Sequence, residues 1–591
     1  MQGTKSTNQL IRALWRYVNR IRRRQLLFML GLTLLCSFLE VISLGSVLPL
    51  IGILTQPQKI LESQFIKTIS ELLGIGPETE LVVPLAIGFA LAAVVANGFR
   101  IILNWVSIKL GNALISDIGT DLFRRTLHQP YLIHVGRNSS EIVSAITQKV
   151  NIAVGVLVSL MNIVTSAALF LAILVTMFMA DPMVATIAFA SFGSAYVILA
   201  RLTRSRLGSN SKRIAKEQTQ AVKVLQEGLG GIRDVLLDGT QQIFCDTYRK
   251  AILQFYRAGG ENTFIGSAPR YVMEALGMVL VATLVVLLDS REGGVIGALP
   301  VLGLLAIGTQ RLLPLLQLLY GNWSTITGST AALADVLVLL SQPSSGEESS
   351  LDPKELVFKE SIELRGLGFK YTHEDLWVFN GINLTIPKGA RLGIMGRTGT
   401  GKSTLIDLIL GLLFPTSGEI RVDGVLLNQQ SHRAWQRMVA HVPQSIFLVD
   451  STFAENIAFG VVPGEINLKR VREAAKQARI SEFIESRPGG YDALVGERGI
   501  RLSGGQRQRI GIARALYKQA TVLVFDEATS ALDHETEESV MQAIGELSHE
   551  LTIIMIAHRV TTLRNCTQII ELAGGGVKNI GIGTESVGKL K

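Results

Sequence analysis

The sequence predicts an all-α membrane domain of six transmembrane helices, followed by an α/β domain built around a P-loop. Three observations predict it. The 591 residues have a mean hydropathy of +0.36 and are 48% hydrophobic but only 18% charged, a balance suited to a bilayer. Six apolar segments, near 25–54, 81–106, 153–180, 183–203, 270–289 and 295–320, approach the length that spans hydrocarbon. After residue 353 the pattern changes to short strands and helices. Within it Gly396-Arg397-Thr398-Gly399-Thr400-Gly401-Lys402-Ser403 fits G-x-x-x-x-G-K-[ST].

The chain begins with a basic stretch, 1–24, in which Leu10, Ile11, Leu14, Trp15 and Val18 interleave with arginines at helical spacing. This predicts an amphipathic helix lying on the inner membrane surface. A polar loop, 55–80, separates the first two spans and is long enough for a short helix. Asp181-Pro182 and the run 290–294 make the other two connections on that side. The opposite side receives the long segments 107–152 and 204–269, which read as helical extensions. Arg124, Arg125, Lys149, Arg201, Arg204, Arg206, Lys212 and Arg213 lie in or beside them. This positive-inside pattern makes those segments, the N-terminus and the nucleotide domain cytoplasmic. The membrane domain spans 25–340 and a Ser-rich linker, 341–352, leads to the nucleotide domain, 353–591. The net charge of +9 is explained by this distribution, so no nucleic acid partner is expected. Cys36, Cys245 and Cys566 are far apart, without metal-ligand spacing or a disulfide framework.

The glycine loop sits where phosphate chemistry needs it. Arg391–Met395 reads as a strand before it, and Thr404 opens an apolar helical run after it. Glycines let backbone N–H groups converge on phosphate oxygens, and the helix N-terminus adds its dipole. Lys402 supplies a charge for the β and γ phosphates, and Ser403 a hydroxyl for Mg²⁺. Downstream, Val522-Leu523-Val524-Phe525-Asp526-Glu527 is a buried strand ending in two acids. Asp526 can hold Mg²⁺ and Glu527 can polarise an attacking water. Leu502-Ser503-Gly504-Gly505-Gln506 opens another helix whose N-terminal N–H groups suit a phosphate.

These strings together resemble the ATP-binding-cassette family, and the likeness extends over the whole chain. Six spans followed by one cassette resemble a half-transporter of the type I exporter fold, which implies an ATP hydrolase coupled to transport. The resemblance implies further roles. Ser503 contacts the γ-phosphate bound on a partner subunit, and Gln444 in Val442-Pro443-Gln444 contacts Mg²⁺ and senses the membrane domain. Asp533 in Ser530-Ala531-Leu532-Asp533 communicates across the dimer, and His558 contacts the γ-phosphate. Tyr371 stacks on adenine, and Val495–Gly499 meets cytoplasmic coupling helices. One glycine loop and one signature per chain require a dimer. A homodimer can hydrolyse at both sites, and a heterodimer is an alternative.

The transported molecule must be read from the membrane half. Ionisable residues within spans are costly and are functional candidates by default. At about 1.5 Å per residue, Arg100 lies roughly 28 Å and Arg311 roughly 24 Å from the outer ends of their spans. Arg270 begins the fifth span from the inside. Together they can line an anion site for a phosphate or pyrophosphate head group. They can equally snorkel to the interface, and Arg270 can pair with Glu274 one turn on. Glu40, in the first span, can touch substrate or pair with an arginine. Phe38-Leu39-Glu40, Asn97-Gly98-Phe99-Arg100, Ala268-Pro269-Arg270 and Gln310–Pro314 resemble the bacterial lipid-linked oligosaccharide flippases of protein N-glycosylation. That likeness implies a polyprenyl-pyrophosphate glycan as substrate, in a bacterial inner membrane. A flippase of lipid A-type lipids or a multidrug exporter is the alternative.

Overall fold

The computed structural model describes residues 6–46, 82–180, 182–289, 294–342, 356–372, 374–527, 544–557 and 566–581, with positions 538, 541, 542 and 563. The predicted loop helix in 55–80, Asp533 and His558 lie outside the described residues, as does the side chain of Arg311. The chain divides into two compact units. One is Met1–His128 with Arg137–Pro343; the other is Gln129–Gly136 with Ser344–Lys591. Sequence placed 129–136 in the membrane domain, whereas its packing groups it with the second unit.

The first unit is helical. Its elements are α1 (Thr7–Tyr17), α2 (Arg20–Gly45), α3 (Val82–Leu127), α5 (Ser139–Ser144), α6 (Val150–Ala180), α7 (Pro182–Gly230), α8 (Ile232–Leu237), α9 (Gln241–Ser267), α10 (Pro269–Asp289), α11 (Gly294–Gly328) and α12 (Thr330–Leu340). The short α4 (Tyr131–Val135) falls in the second unit. Each of the six predicted spans lies mainly within one long helix: α2, α3, α6, α7, α10 and α11. Among the described residues four helices are long and apolar enough to cross a membrane, or five if a pair bent by 52° between α11 and α12 counts as one. The predicted extensions are continuous helix: α3 runs on to Leu127 and α7 to Gly230.

Apolar spacing explains the packing. Leu110, Leu114, Ile118 and Leu122 recur every fourth residue on α3 and are buried against Val150, Val154 and Leu157 of α6 and Leu333 and Leu337 of α12. Lys149 is buried at the π-turn before α6, and its ammonium reaches Asp335 of α12 at 2.5 Å. Ser211 Oγ accepts the Ala331 N–H at 2.9 Å, satisfying one orphan donor at the start of α12.

The N-terminal helix differs from expectation. The helix is present, but Leu10, Leu14 and Val18 are buried in the same core as α3 and α12. Its apolar edge is therefore covered by protein and not by lipid. A stripe this narrow fits a protein groove as well as a bilayer interface, so periodicity alone did not distinguish them.

The second unit holds two sheets. The four-stranded sheet, ordered β2-β1-β4-β5, joins β1 (Ser361–Phe369), β2 (Phe379–Pro387), β4 (Ser417–Val422) and β5 (Val425–Leu426), all antiparallel. The six-stranded sheet is ordered β10-β9-β3-β8-β7-β6. Its strands are β3 (Arg391–Gly396), β6 (Val439–Val442), β7 (Val522–Asp526), β8 (Thr552–Ile556), β9 (Gln568–Ala573) and β10 (Gly576–Gly581). β9, β3, β8, β7 and β6 run parallel. Helices α13 (Lys402–Ile409), α14 (His432–Met438), α15 (Phe453–Ile457), α16 (Leu468–Gln477), α17 (Ser481–Glu485) and α18 (Gly504–Tyr517) complete the unit. The central strands are continuous apolar runs, as parallel strands covered on both faces must be.

Candidate functional site: the nucleotide-binding edge of the sheet

Register places the chemistry. Ile394 of β3 pairs with Ile556 of β8, and Ile556 pairs with Asp526 of β7. The glycine loop and Asp526 thus leave the sheet at one level, on the carboxyl edge where α/β sheets bind ligands.

The loop has the shape its glycines allow. Gly396 has φ +152° and Gly401 has φ +91°. A Cβ on Gly401 would stand 2.6 Å from Val378 Cγ1 and 3.0 Å from Phe379. Only glycine fits there. Gly401 precedes α13, whose first turn holds Lys402, Ser403 and Thr404. Lys402 is buried, and its ammonium donates to the carbonyls of Gly396 at 2.9 Å and Arg397 at 3.1 Å. Thr400 Oγ1 donates to the Arg397 carbonyl at 2.9 Å, closing the turn through Thr398 and Gly399.

Tyr371 is seated by two contacts. Its hydroxyl lies 3.0 Å from Thr404 Oγ1, and its ring meets Phe369 edge-on at 5.0 Å. The acids at the end of β7 are shaped differently. Burial, then the neighbouring Glu527, pushes the Asp526 carboxyl up, while Lys402 pulls it down. Glu527 has φ +47°, the left-handed region that a side-chain-bearing residue enters at a cost. Its N–H donates to the Ile556 carbonyl at 3.2 Å, and Gln444 Nε2 donates to its Oε2 at 2.9 Å.

Ser503 caps α18 in a reciprocal box. Its Oγ accepts from Gln506 N–H at 3.3 Å, and Gln506 Oε1 accepts from Ser503 N–H at 2.9 Å. Gly504 and Gly505 follow without side chains to obstruct the helix end. Among the described residues no hydrogen bond joins Ser503 to the glycine loop of the same chain. The structure brings together Gln444 and Glu527, Tyr371 and Thr404, and Asp526 and Lys402.

Two residues that sequence reasoning passed over adjoin this site. Burial, then Asp526, pushes the Asp407 carboxyl from 3.8 up to about 6. Burial, then Asp407 and Tyr371, raises the Tyr131 phenol. An acid among the apolar positions of α13 was the available signal. A raised carboxyl favours the fold fully below pH 3.8, and that contribution is lost as pH rises through about 6. Asp407→Asn is therefore expected to stabilise the chain above pH 6 and to flatten its pH dependence between 4 and 6. The gain is on the order of 1 kcal/mol once solvent screening of a half-buried carboxyl is allowed for. Thermal unfolding of the full chain across that range measures it.

In the membrane unit, Arg100 lines two cavities, of about 560 and 80 Å³. Glu40 and Gln310 share the smaller one with it. Arg270 lines neither; its guanidinium holds Glu274 at 2.7 Å. Arg100 makes no ion pair among the described residues.

Comparisons with known proteins agree with this architecture. The ABC transporter transmembrane region profile matches residues 28–288, and the ABC transporter profile matches residues 379–530. The chain is 30% identical over 493 residues to the ATP-dependent lipid A-core flippase of Chromohalobacter salexigens, covering 80% of this chain and 82% of that protein. It is 33% identical over 380 residues to the heterocyst differentiation ATP-binding protein HepA of a Nostoc species, covering 63% and 60%. A solved bacterial Atm1-family ABC exporter with ATP bound superposes with a TM-score of 0.77, covering 97% of each chain at 23% identity. With its P-loop and Asp526 at the edge of one sheet and its long apolar helices in a separate unit, the chain belongs to the ABC transporter family, as an exporter-type half-transporter that couples ATP hydrolysis to transport.

Proposed function

We propose that two copies of this chain form a flippase for a lipid with a phosphorylated saccharide head. The observation that carries this reading is Arg100, an intramembrane arginine on a cavity of about 560 Å³ lined in part by amides and hydroxyls, with no ion pair among the described residues. Such a residue needs an anion when it is taken out of water. The anion site centres on Arg100, with Arg311 as a further member and Glu40 beside it; Arg270, held by Glu274 and away from the cavity, is left out of it. Two lipid classes carry such a head. The membrane strings resemble flippases of polyprenyl-pyrophosphate glycans. The relatives' names favour a lipid A-core glycolipid, which is the better supported of the two.

At the nucleotide end, backbone N–H groups of 396–404 cradle the phosphates of ATP, and Tyr371 stacks on its base. Ser403, Asp526 and the amide oxygen of Gln444 are hard oxygen donors that fit Mg²⁺, which supplies charge neutralisation for the phosphates. Glu527 takes the proton of the attacking water. Ser503, with Gly504–Gln506, Asp533 and His558, completes the site across the dimer. Because the loop and the signature act on opposite chains, ATP binding draws two cassettes together.

Proteoliposomes containing fluorescent polyprenyl-pyrophosphate glycan or lipid A-core test the reading. With Arg100→Ala, lipid moved per ATP hydrolysed is expected to fall about tenfold or more, the worth of a charge-assisted hydrogen bond. Undiminished movement of both lipids would remove the anion site.

A further inference from the structure

The larger cavity carries more than its arginine. On α3, Asn97, Arg100, Asn104 and Ser107 follow at steps of three, four and three residues and all line it. That spacing puts them on one helix face. At 1.5 Å per residue the ladder is about 15 Å long. Asn162 and Ser166, one turn apart on α6, form part of the facing wall. The volume of about 560 Å³ falls in the usual range for small-molecule sites.

Polar side chains in a membrane helix are normally spent on protein partners. Nearby hydroxyls follow that rule: Thr33, Ser37 and Thr165 each donate to the carbonyl one turn back, at 2.9, 2.9 and 3.0 Å. The ladder follows it only in part. Asn97 donates to the Ala93 carbonyl at 2.8 Å and keeps its side-chain oxygen. The side chains of Asn104 and Ser107 make no hydrogen bond among the described residues. Asn162 meets Asn322 only at 3.5 Å, the outer limit of a hydrogen bond. Donors and acceptors of both kinds therefore face a cavity in which Arg100 is the one charged side chain among the lining residues.

We infer that this ladder is the saccharide subsite of the transport path, with Asn104, Ser107 and Asn162 determining head-group specificity; the inference rests on the flippase reading. A sugar hydroxyl is both donor and acceptor, and so matches amides and hydroxyls in a way that an acyl or prenyl chain cannot. Arg100 takes the phosphate, which has no donor to offer, and the ladder takes the hydroxyls. A site built to bind hydroxyls discriminates against ligands lacking them, because its own polar groups are left unpaired.

The test uses the purified full chain in nanodiscs and the concentration of lipid that half-stimulates ATP hydrolysis. Two probes carry sugar: a polyprenyl-pyrophosphate disaccharide and a hexa-acylated diphosphoryl disaccharide. Two carry phosphate without sugar: polyprenyl pyrophosphate and phosphatidic acid. The unmodified chain is expected to respond to at least one sugar-bearing probe at about tenfold lower concentration than to its sugarless counterpart. Asn104→Leu with Asn162→Leu is expected to raise that concentration about tenfold, leaving the sugarless probes within twofold. Asn104→Ser, which replaces the amide by a hydroxyl that both donates and accepts, should recover most of the difference. Whichever sugar-bearing lipid shows the shift identifies the source of the saccharide. An equal shift for all probes, or none for any, would overturn the subsite. So would dissociation of the dimer in the leucine variants on gel filtration, since the ladder would then be an interface. Arg100→Ala reports separately: failure to weaken the sugarless probes defeats the anion site but not the ladder. If no probe stimulates hydrolysis, both fall.

Discussion

Glu527→Gln is expected to lower ATP turnover by about 10²–10⁴-fold, the range for loss of the general base proposed at Glu527, while nucleotide binding changes less than threefold. The substitution is nearly isosteric, so it isolates proton acceptance from shape. Glu527 is fixed by its backbone, in the left-handed region at φ +47°, and by Gln444 Nε2 at 2.9 Å. A glutamine at 527 still accepts that hydrogen bond through its amide oxygen. It cannot take a proton from water. Phosphate release by the full chain in liposomes, with ATP binding measured in parallel, checks the prediction. Turnover within tenfold of the unmodified chain would move the base elsewhere. Lipid movement should stop with hydrolysis, because the dimer would close and not reset.

The second large effect concerns the support behind the loop. Trp435→Ala is expected to cost the nucleotide domain about 3–5 kcal/mol, the range for truncating a buried aromatic. Trp435 on α14 is fully buried. Its indole N–H donates to the Ile409 carbonyl at 2.7 Å, and Phe358 meets its ring edge-on at 5.9 Å. Ile409 ends α13, whose first turn carries Lys402, Ser403 and Thr404. The indole thus anchors the far end of the helix that presents the phosphate site. Truncation leaves a cavity and an unpaired carbonyl together. The thermal midpoint of that domain should fall by roughly 10 °C or more. Trp435→Phe, which refills most of the space but not the hydrogen bond, should lose only about 1–2 kcal/mol. Equal losses in the two variants would show that the hydrogen bond, not the packing, holds the helix.

Most of the nucleotide domain was legible because its signals are local. A strand, a glycine loop and a helix are adjacent in the chain, and φ near +90° at Gly401 follows from a residue type. The spans were legible for a similar reason: mean hydropathy over some twenty residues is a one-dimensional property. The second unit's antiparallel lobe was also readable, since Ile382–Ile386 alternate and form β2.

What the chain could not show is which long-range partner each polar group finds. The pairing of Arg270 with Glu274 one turn on was readable and forms, but that Arg100 faces a cavity was not. The apolar stripe of α1 read as a membrane contact and is buried against α3 and α12 instead. Asp407 appeared as an isolated acid, and only folding brings Asp526 close enough to raise it. The sequence by itself determined the two kinds of domain, the order of the spans and the strand, glycine loop and helix around Gly396–Ser403, because each is set by neighbours within about a turn or a strand. Tertiary structure alone decided that Arg100 faces a cavity and which amides line it, because that depends on helices far apart in the chain coming together.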